Sequence, residues 1–149
     1  MMKSYSQRDP KWAYIFIKGT KLTLGRFGCT ISCIADLSTY FGKALTPQDV
    51  NNHCSFTNGG LIYWNTARFS DFEFVRREYG RVNENILEAL QHPDKAVILQ
   101  VANASHWVVC TGWQKEIKDF KIADPWNGDY SNMARYGKNI TGAAYFRRK

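Results

Sequence analysis

Cys29, His106 and Asp124 have side chains and sequence settings suited to nucleophilic and acid–base chemistry. Cys29 follows Gly28 and opens a segment with helical periodicity, so its sulfur is expected at a helix N-terminus. Unpaired backbone N–H groups and the helix dipole favour an anion there, and the thiolate form of cysteine is the nucleophile. A side chain at position 28 would crowd the sulfur, and glycine leaves the approach open. The sequence therefore predicts an activated thiol at Cys29.

A thiolate nucleophile also needs an imidazole that exchanges protons and a third group that orients the ring. His106 begins a strand-like run immediately after a polar turn, so its ring can project from the end of a strand. His53 and His92 lie among polar residues at the ends of short helices and are expected to be solvated. His106 is therefore the predicted general base.

Asp124 is the candidate for the orienting group. It ends the apolar run 120–123, and a hairpin between this run and the His106 strand would bring the carboxylate beside His106. Pro125 restricts Asp124 to extended geometry, and Trp126 is expected to shield the pair from water.

The other cysteines have simpler explanations. Cys33 lies one turn beyond Cys29 and is expected in the core, although it could also trap an oxidised Cys29. Cys54 and Cys110 are expected to be structural. A zinc site that combines Cys29, Cys33, His53 and Cys54 lacks the usual ligand spacing, and the oxygen-rich segment 124–129 is a turn rather than a calcium loop. We expect neither a metal nor an organic cofactor.

Periodicity and turn residues predict the elements that position these side chains. Helices are predicted over 29–41, 47–53 and 83–90, and the ambiguous segment 59–71 could hold a short one over 63–68. Strands are predicted over 72–76, 96–102, 106–113, 120–123 and 143–147. This ordering indicates an α+β fold with helices packed on an antiparallel sheet.

Length and composition limit the remaining possibilities. The chain has 149 residues, of which 44% are hydrophobic, which suits one domain over 1–149 and excludes a disordered chain. The apolar stretch 96–102 spans seven residues, one of which is Gln100, against the ~20 that a membrane span requires. The N-terminus does not resemble a signal peptide, so synthesis in the cytoplasm is expected.

The net charge of +7 is concentrated at the two ends of the chain. Residues 1–28 and 131–149 each carry +5, and the segment between them carries −3. If both ends share a face, they would attract a polyanion such as a bacterial cell wall; a merely basic, soluble surface is the alternative. No motif for specific nucleic-acid recognition accompanies the charge, and a monomer is expected.

Four short motifs together resemble the papain-fold cysteine peptidases related to the double-glycine leader peptidases of bacteriocin exporters. The resemblance spans the chain, in the order Ser6-Gln7-Arg8-Asp9-Pro10-Lys11-Trp12, Gly25-Arg26-Phe27-Gly28-Cys29-Thr30, His106-Trp107-Val108-Val109 with Gly112, and Ile122-Ala123-Asp124-Pro125.

The resemblance implies a papain-like fold, a nucleophile at Cys29, a base at His106, an orienting carboxylate at Asp124 and an oxyanion-hole amide at Gln7. In the leader peptidases the glutamine lies only a few residues before the cysteine. Here 21 residues separate Gln7 from Cys29, so this insertion has to loop back.

The free-standing bacterial and phage proteins of this type include peptidoglycan-cleaving lysins and virion or effector proteins. The resemblance thus implies a hydrolase of peptide or amide bonds, with peptidoglycan, at the cell wall or from a virion, as the first substrate and protein as the second. A catalytically inactive module that only binds peptide is the non-enzymatic alternative.

Overall fold

The computed structural model describes residues 2–149, which form four α-helices, two single turns of 3₁₀ helix and one six-stranded sheet. The helices are α1 (Leu24–Phe27), α2 (Cys29–Tyr40), α3 (Pro47–His53) and α4 (Asn83–Leu90). The strands are β1 (Phe72–Tyr79), β2 (Lys95–Val101), β3 (His106–Gln114), β4 (Asp119–Asp124), β5 (Asp129–Asn132) and β6 (Gly142–Arg148). Within residues 2–149, no helix is both long and apolar enough to cross a membrane.

The sheet is antiparallel throughout and has the strand order β1-β6-β2-β3-β4-β5. The last strand, β6, lies between β1 and β2, so the chain terminus is held inside the sheet. β3 and β4 form the predicted hairpin, in which Val109 is opposite Ala123. The hairpin brings the start of β3 and the end of β4 to the same edge of the sheet.

Alternating side chains divide the core into two layers, one on each face of the sheet. On β2, Ile98 packs in the layer that contains α2, whereas Val97 and Leu99 pack in the layer that contains α4. Because successive side chains of a strand point to opposite faces, the apolar run in β2 serves both layers. Each fully buried aliphatic side chain contributes about 1.5–3 kcal/mol of transfer free energy.

Local sequence signals set the helix boundaries. Thr46 and Asp49 form a capping box: the Thr46 hydroxyl accepts the Asp49 N–H at 3.2 Å, and the Asp49 carboxylate accepts the Thr46 N–H at 2.9 Å. Pro47 occupies the first helical position, where its missing N–H costs nothing. The predicted helix 47–53 is therefore confirmed, as is the helix 83–90.

The structure differs from the sequence-based expectations at several places: α1 is a helix that the sequence analysis does not predict, and β1 continues to Tyr79, beyond the predicted end at residue 76. α2 ends at Tyr40, one residue before the predicted end, and the ambiguous segment 63–68 contains only a 3₁₀ turn at Trp64–Thr66. β5 was not expected, because its residues are polar and weak strand formers. The predicted turn is shorter than 124–129: it closes where the Gly128 N–H donates to the Asp124 carbonyl at 2.8 Å, and β5 begins at Asp129.

Candidate active site

Cys29 is the first residue of α2, and its side chain is half-buried at the wall of a cleft. The helix begins abruptly because α1 ends at Phe27 and only Gly28 separates the two. A Cβ atom on Gly28 would lie 2.5 Å from the Leu24 carbonyl oxygen. Glycine is thus required here by backbone packing against α1, a constraint that differs from the open approach expected from the sequence.

Cys33 aligns α2 with β3. Its thiol is fully buried and donates to the Trp107 carbonyl at 3.5 Å. Cys33 lies one helical turn from Cys29, and Trp107 is adjacent to His106, so this contact fixes the helix against the strand beside both side chains. Burial raises the pKa of Cys33 well above its usual range, and the neighbouring Asp36 and Cys29 add to the effect. Cys33 is therefore a thiol in the core that positions α2.

His106 is the first residue of β3 and pairs with Val101 on β2. The tight connection between the two strands is made by Ala102, Asn103 and Ala104, all of which have a φ near +50° to +66°. Left-handed backbone is unfavourable for residues that carry a Cβ atom. The connection thus holds the histidine at the strand end at some conformational cost.

Asp124, the last residue of β4, is buried and accepts hydrogen bonds at both oxygens. Oδ1 lies 2.8 Å from His106 Nε2 and also accepts the Trp126 N–H at 3.0 Å. Oδ2 accepts from the Tyr136 hydroxyl and from Arg135 Nη1, the latter at 3.1 Å. These contacts fix the carboxylate and leave it one orientation toward His106.

Electrostatics reinforce the ring–carboxylate pair. Burial by itself would lower the pKa of His106, but hydrogen bonds to Asp124 and Cys29, together with their negative charges, raise it to about 9. Burial would raise the pKa of Asp124, but hydrogen bonds from His106, Tyr136 and the Trp126 N–H, with the charge of His106, bring it well below its usual range. At neutral pH the pair is therefore an imidazolium and a carboxylate.

The two ring nitrogens of His106 have different partners. Nε2 faces Asp124 at 2.8 Å, and the Cys29 side chain lies close enough to the ring to raise the pKa of His106. Because one nitrogen is committed to the carboxylate, Nδ1 is the atom left for the sulfur. The structure thus brings Cys29 near His106, and His106 into contact with Asp124.

Gln7 is buried between two loops, one that leads into Cys29 and one that follows Asp124. Its backbone N–H donates to the Pro125 carbonyl at 2.7 Å, and its amide Nε2 donates to the Gly25 carbonyl at 3.2 Å. Its Oε1 is buried without a hydrogen-bond partner within residues 2–149. Gln7 does not line the cleft, but it contacts the chain that leads into Cys29 and the loop that follows Asp124.

The insertion between Gln7 and Cys29 folds back on itself. The Ile17 N–H donates to the Leu22 carbonyl at 2.7 Å, and the Gly25 N–H donates to the Ala13 carbonyl at 2.9 Å. This hairpin-like segment brings Gly25 back to Gln7. The long spacing in sequence is thereby closed in space.

A cleft of about 350 Å³ passes in front of Cys29 and His106. Aromatic and apolar side chains form much of its wall, and its charged wall residues besides His106 are two arginines. The lining includes Phe27, Leu61, Trp64, Tyr79, Trp107, Arg26 and Arg77. The cleft is large enough for a short stretch of extended peptide.

Several residues around the site had no signal in the sequence analysis. Arg135 and Tyr136 follow β5 on the second 3₁₀ turn, Met133–Tyr136, and hold the far oxygen of Asp124. The Tyr136 ring lies 5.6 Å from the His106 ring, whereas Trp126, the expected shield, keeps its indole 40% exposed and stacks with Arg8. A polar turn beside an edge strand has no periodicity that would reveal such a role.

The remaining cysteines and histidines lie outside this arrangement. Cys54 and Cys110 are free thiols in the core, and burial raises the pKa of each to about 12. His53 and His92 are exposed; His53 bonds the Arg68 carbonyl at 2.5 Å, and His92, just beyond α4, pairs with Glu88 of that helix at 3.2 Å. Within residues 2–149, no three His, Cys, Asp or Glu side chains are grouped so as to hold a metal ion.

No protein-family model and no curated protein matches this sequence, but solved structures match the fold. The double-glycine motif protease of an AMS/PCAT transporter, solved in complex with the leader peptide, is 20% identical, with a TM-score of 0.57 over 81% of this chain and 84% of that one. The peptidase domain of Streptococcus ComA, a bifunctional ABC transporter involved in quorum sensing, is 14% identical, with a TM-score of 0.65 over 100% of both chains. The chain has the fold of double-glycine leader peptidase domains.

The leader-peptidase fold confirms the predicted papain-like α+β class, in which helices pack on an antiparallel sheet. Cys29 at the start of α2 and His106 at the start of β3 are the residues that this fold brings together across the cleft.

Proposed function

We propose that the protein is a cysteine hydrolase that cleaves peptide or other amide bonds, with Cys29, His106 and Asp124 as its catalytic residues. The observation that carries the proposal is the His106 imidazole, held by Asp124 at 2.8 Å and lining the same cleft as Cys29 at the N-terminus of α2. The leader-peptidase fold supports the same chemistry, because one similar structure is a protease and the other is a peptidase domain.

In the first half of the proposed reaction, the Cys29 thiolate attacks the carbonyl carbon of the scissile bond and forms a C–S bond. The carbonyl electron pair moves to oxygen, and the Cys29 backbone N–H at the start of α2 stabilises this oxyanion. His106, as imidazolium, gives its proton to the leaving nitrogen as the C–N bond breaks. The products are a free amine and a thioester on Cys29.

In the second half, neutral His106 takes a proton from water, and the resulting hydroxide attacks the thioester carbon. The C–S bond breaks, the carboxylic acid leaves, and the thiolate–imidazolium pair is restored. Asp124 keeps its charge throughout and stabilises the imidazolium in both halves.

Gln7 is proposed as the second oxyanion donor. Its amide nitrogen uses one hydrogen on the Gly25 carbonyl, and the other hydrogen remains for an oxyanion. The tie from its backbone to Pro125 supports a fixed position relative to Asp124. A Gln7→Ala variant is expected to lower kcat about 100-fold with little change in KM, because the donor acts in the transition state.

For the substrate, we propose cell-wall peptide first and a protein second. The basic termini would favour an anionic wall, although four of the five basic residues in 131–149 are already paired with carboxylates. These are Arg135, Arg147, Arg148 and Lys149. The leader peptide bound by one similar structure favours an extended peptide in the cleft in either case.

Thiol alkylation tests the nucleophile directly. Cys33, Cys54 and Cys110 are buried, so iodoacetamide added to the folded protein reports on Cys29. We expect one fast-reacting thiol in the wild-type protein and none in Cys29→Ala. Reaction no faster than that of a model thiol, without cleavage of any substrate, would favour the peptide-binding alternative.

Turbidity of purified cell walls and a panel of unfolded proteins distinguish the two substrates. A lysin clears the walls with the wild-type protein but not with Cys29→Ala. Cleavage of the protein panel without clearing would instead identify a protein-cleaving peptidase with the same mechanism.

A further inference from the structure

Arg77 is a cleft residue whose charge has no acidic partner within residues 2–149. Its neighbours on β1, Arg76 and Glu78, pair with each other at 3.0 Å, whereas Arg77 forms no salt bridge. Burial lowers the pKa of Arg77, while nearby Tyr79 has the opposite effect. A partly buried guanidinium without a counterion is stabilised by any carboxylate that enters the cleft.

The guanidinium of Arg77 is held in a defined orientation. Nη2 donates to Gln100 Oε1 at 3.1 Å, and the same oxygen accepts from the Thr141 hydroxyl at 3.0 Å. Nη1 donates to the Glu78 carbonyl. The side chain is therefore anchored to β2 through Gln100 before any substrate binds.

Aromatic rings cover the faces of the Arg77 guanidinium but leave its edge uncovered. Its central carbon lies 4.2 Å from the centre of the Tyr79 ring and 4.9 Å from that of Trp107. Two of its five N–H donors have acceptors in the described part of the chain, which leaves three in the plane of the group. A planar fork of this kind is suited to a bidentate carboxylate.

The sheet makes room for the group at Gly142. A Cβ atom there would overlap Arg77 Nη1 and lie 3.0 Å from the central guanidinium carbon. Gly142 pairs with Tyr79 on one side and Gln100 on the other, so any larger residue would displace Arg77 from the cleft.

Arg77 lies in the same cleft as the proposed nucleophile and base. Arg77, Cys29 and His106 line the same cavity of about 350 Å³, and Trp107, which stacks on Arg77, directly follows His106. Neither Asp nor Glu lines this cavity. We infer that Arg77 binds a carboxylate of the substrate, so that the cleft selects peptides with an acidic residue, or a free C-terminus, beside the scissile bond. This inference rests on the proposed function.

Matched peptide pools test the inference. Internally quenched peptides with randomised flanks carry Glu or Gln at one fixed position, and a second pair carries a C-terminal acid or amide. We expect a preference of about 10- to 100-fold in kcat/KM for Glu over Gln at one position, or for the acid over the amide. The first result identifies a side-chain carboxylate, and the second a terminal one.

The variants separate a local contact from overall charge. Arg77→Gln is expected to reduce the preference to within about threefold, and Arg77→Lys, which keeps the charge but loses the fork, to an intermediate value. Arg76→Gln removes the same charge from the same strand outside this cleft and is expected to leave the preference unchanged. An unchanged preference in both Arg77 variants overturns the inference, as does an equal loss in Arg76→Gln.

Binding to Cys29→Ala, followed by fluorescence anisotropy of the same peptides, separates this inference from the proposed function. Cleavage without any carboxylate preference overturns the inference and leaves the proposed function intact. Preferential binding of the acidic peptides without cleavage by the wild-type protein supports the inference and overturns the proposed function. The absence of both cleavage and preferential binding overturns both.

Discussion

Nε2 of His106 lies 2.8 Å from Oδ1 of Asp124, and the other oxygen of the same carboxylate is held by Tyr136 and Arg135. The imidazole is therefore oriented by a carboxylate that is itself fixed from behind. This arrangement determines which nitrogen of His106 is available to Cys29 and how strongly the ring holds its proton.

Replacement of Asp124 tests this relationship. Asp124→Asn is expected to lower kcat/KM on the order of 100-fold or more, because the amide cannot stabilise the imidazolium. Asp129→Asn is a matched control, since Asp129 shares Arg135 with Asp124 but does not contact His106. A similar loss of activity in both variants would show that the effect is not specific to the contact with His106.

The pH dependence of the reaction follows from the pKa of His106, which its surroundings raise to about 9. The charged ring persists as the pH rises above the usual ~6.5, and it is lost only as the pH passes through about 9. Peptide hydrolysis is thus expected to decline near pH 9. In Asp124→Asn the decline is expected to move toward neutral pH, and NMR titration of the His106 ring measures the shift directly.

Tyr136 is expected to stabilise the site through its hydroxyl group. Burial raises the pKa of this hydroxyl, and its hydrogen bond to Asp124 raises it further, so it remains a donor. Tyr136→Phe removes that donor from a buried carboxylate and is expected to cost about 1–3 kcal/mol of unfolding free energy, with a fall in kcat. Tyr130→Phe is the control, since Tyr130 is exposed and its hydroxyl donates only to the Met2 carbonyl within residues 2–149.

The junction between α1 and α2 is predicted to tolerate no side chain. In Gly28→Ala the new methyl group would meet the Leu24 carbonyl oxygen at 2.5 Å, so α2 or α1 has to move. We expect a loss of about 1–3 kcal/mol in urea unfolding and slower alkylation of Cys29. Gly59→Ala is the control, because the nearest atom to its methyl group would be 3.8 Å away. Equal stability of the two variants would contradict the packing argument.

In the connection between β2 and β3, in contrast, introducing a glycine is expected to stabilise the fold. Ala102 and Ala104 have positive φ angles, so Ala102→Gly and Ala104→Gly are each expected to stabilise the fold by up to about 1 kcal/mol. Ala134→Gly, in the 3₁₀ turn after β5, lacks this relief and is expected to be destabilising. Thermal unfolding of the three variants measures the difference.

The sequence carries good information about the elements that hold Cys29, His106 and Asp124. Helical periodicity after Gly28 predicts α2, and apolar runs separated by turn residues predict β3 and β4. A hairpin then requires the ends of the two strands to meet. These signals are local, and for this reason they can be read without a structure.

The remainder of the site depends on contacts between distant segments. Tyr136 and Arg135 reach Asp124 from a polar 3₁₀ turn that has no periodic pattern. Arg77 is distinguished from the other arginines only by what surrounds it, namely Gln100 from β2, Gly142 from β6 and no carboxylate. No spacing in the sequence encodes an absent partner, so only the folded arrangement identifies this residue.

The bond between the Gln7 N–H and the Pro125 carbonyl joins the beginning of the chain to its last quarter. Because a ribosome makes the chain from the N-terminus, Gln7 and Cys29 are synthesised long before His106, Asp124 and Tyr136. The proposed nucleophile therefore gains its base only after the segment that carries His106 and Asp124 has been made and has folded.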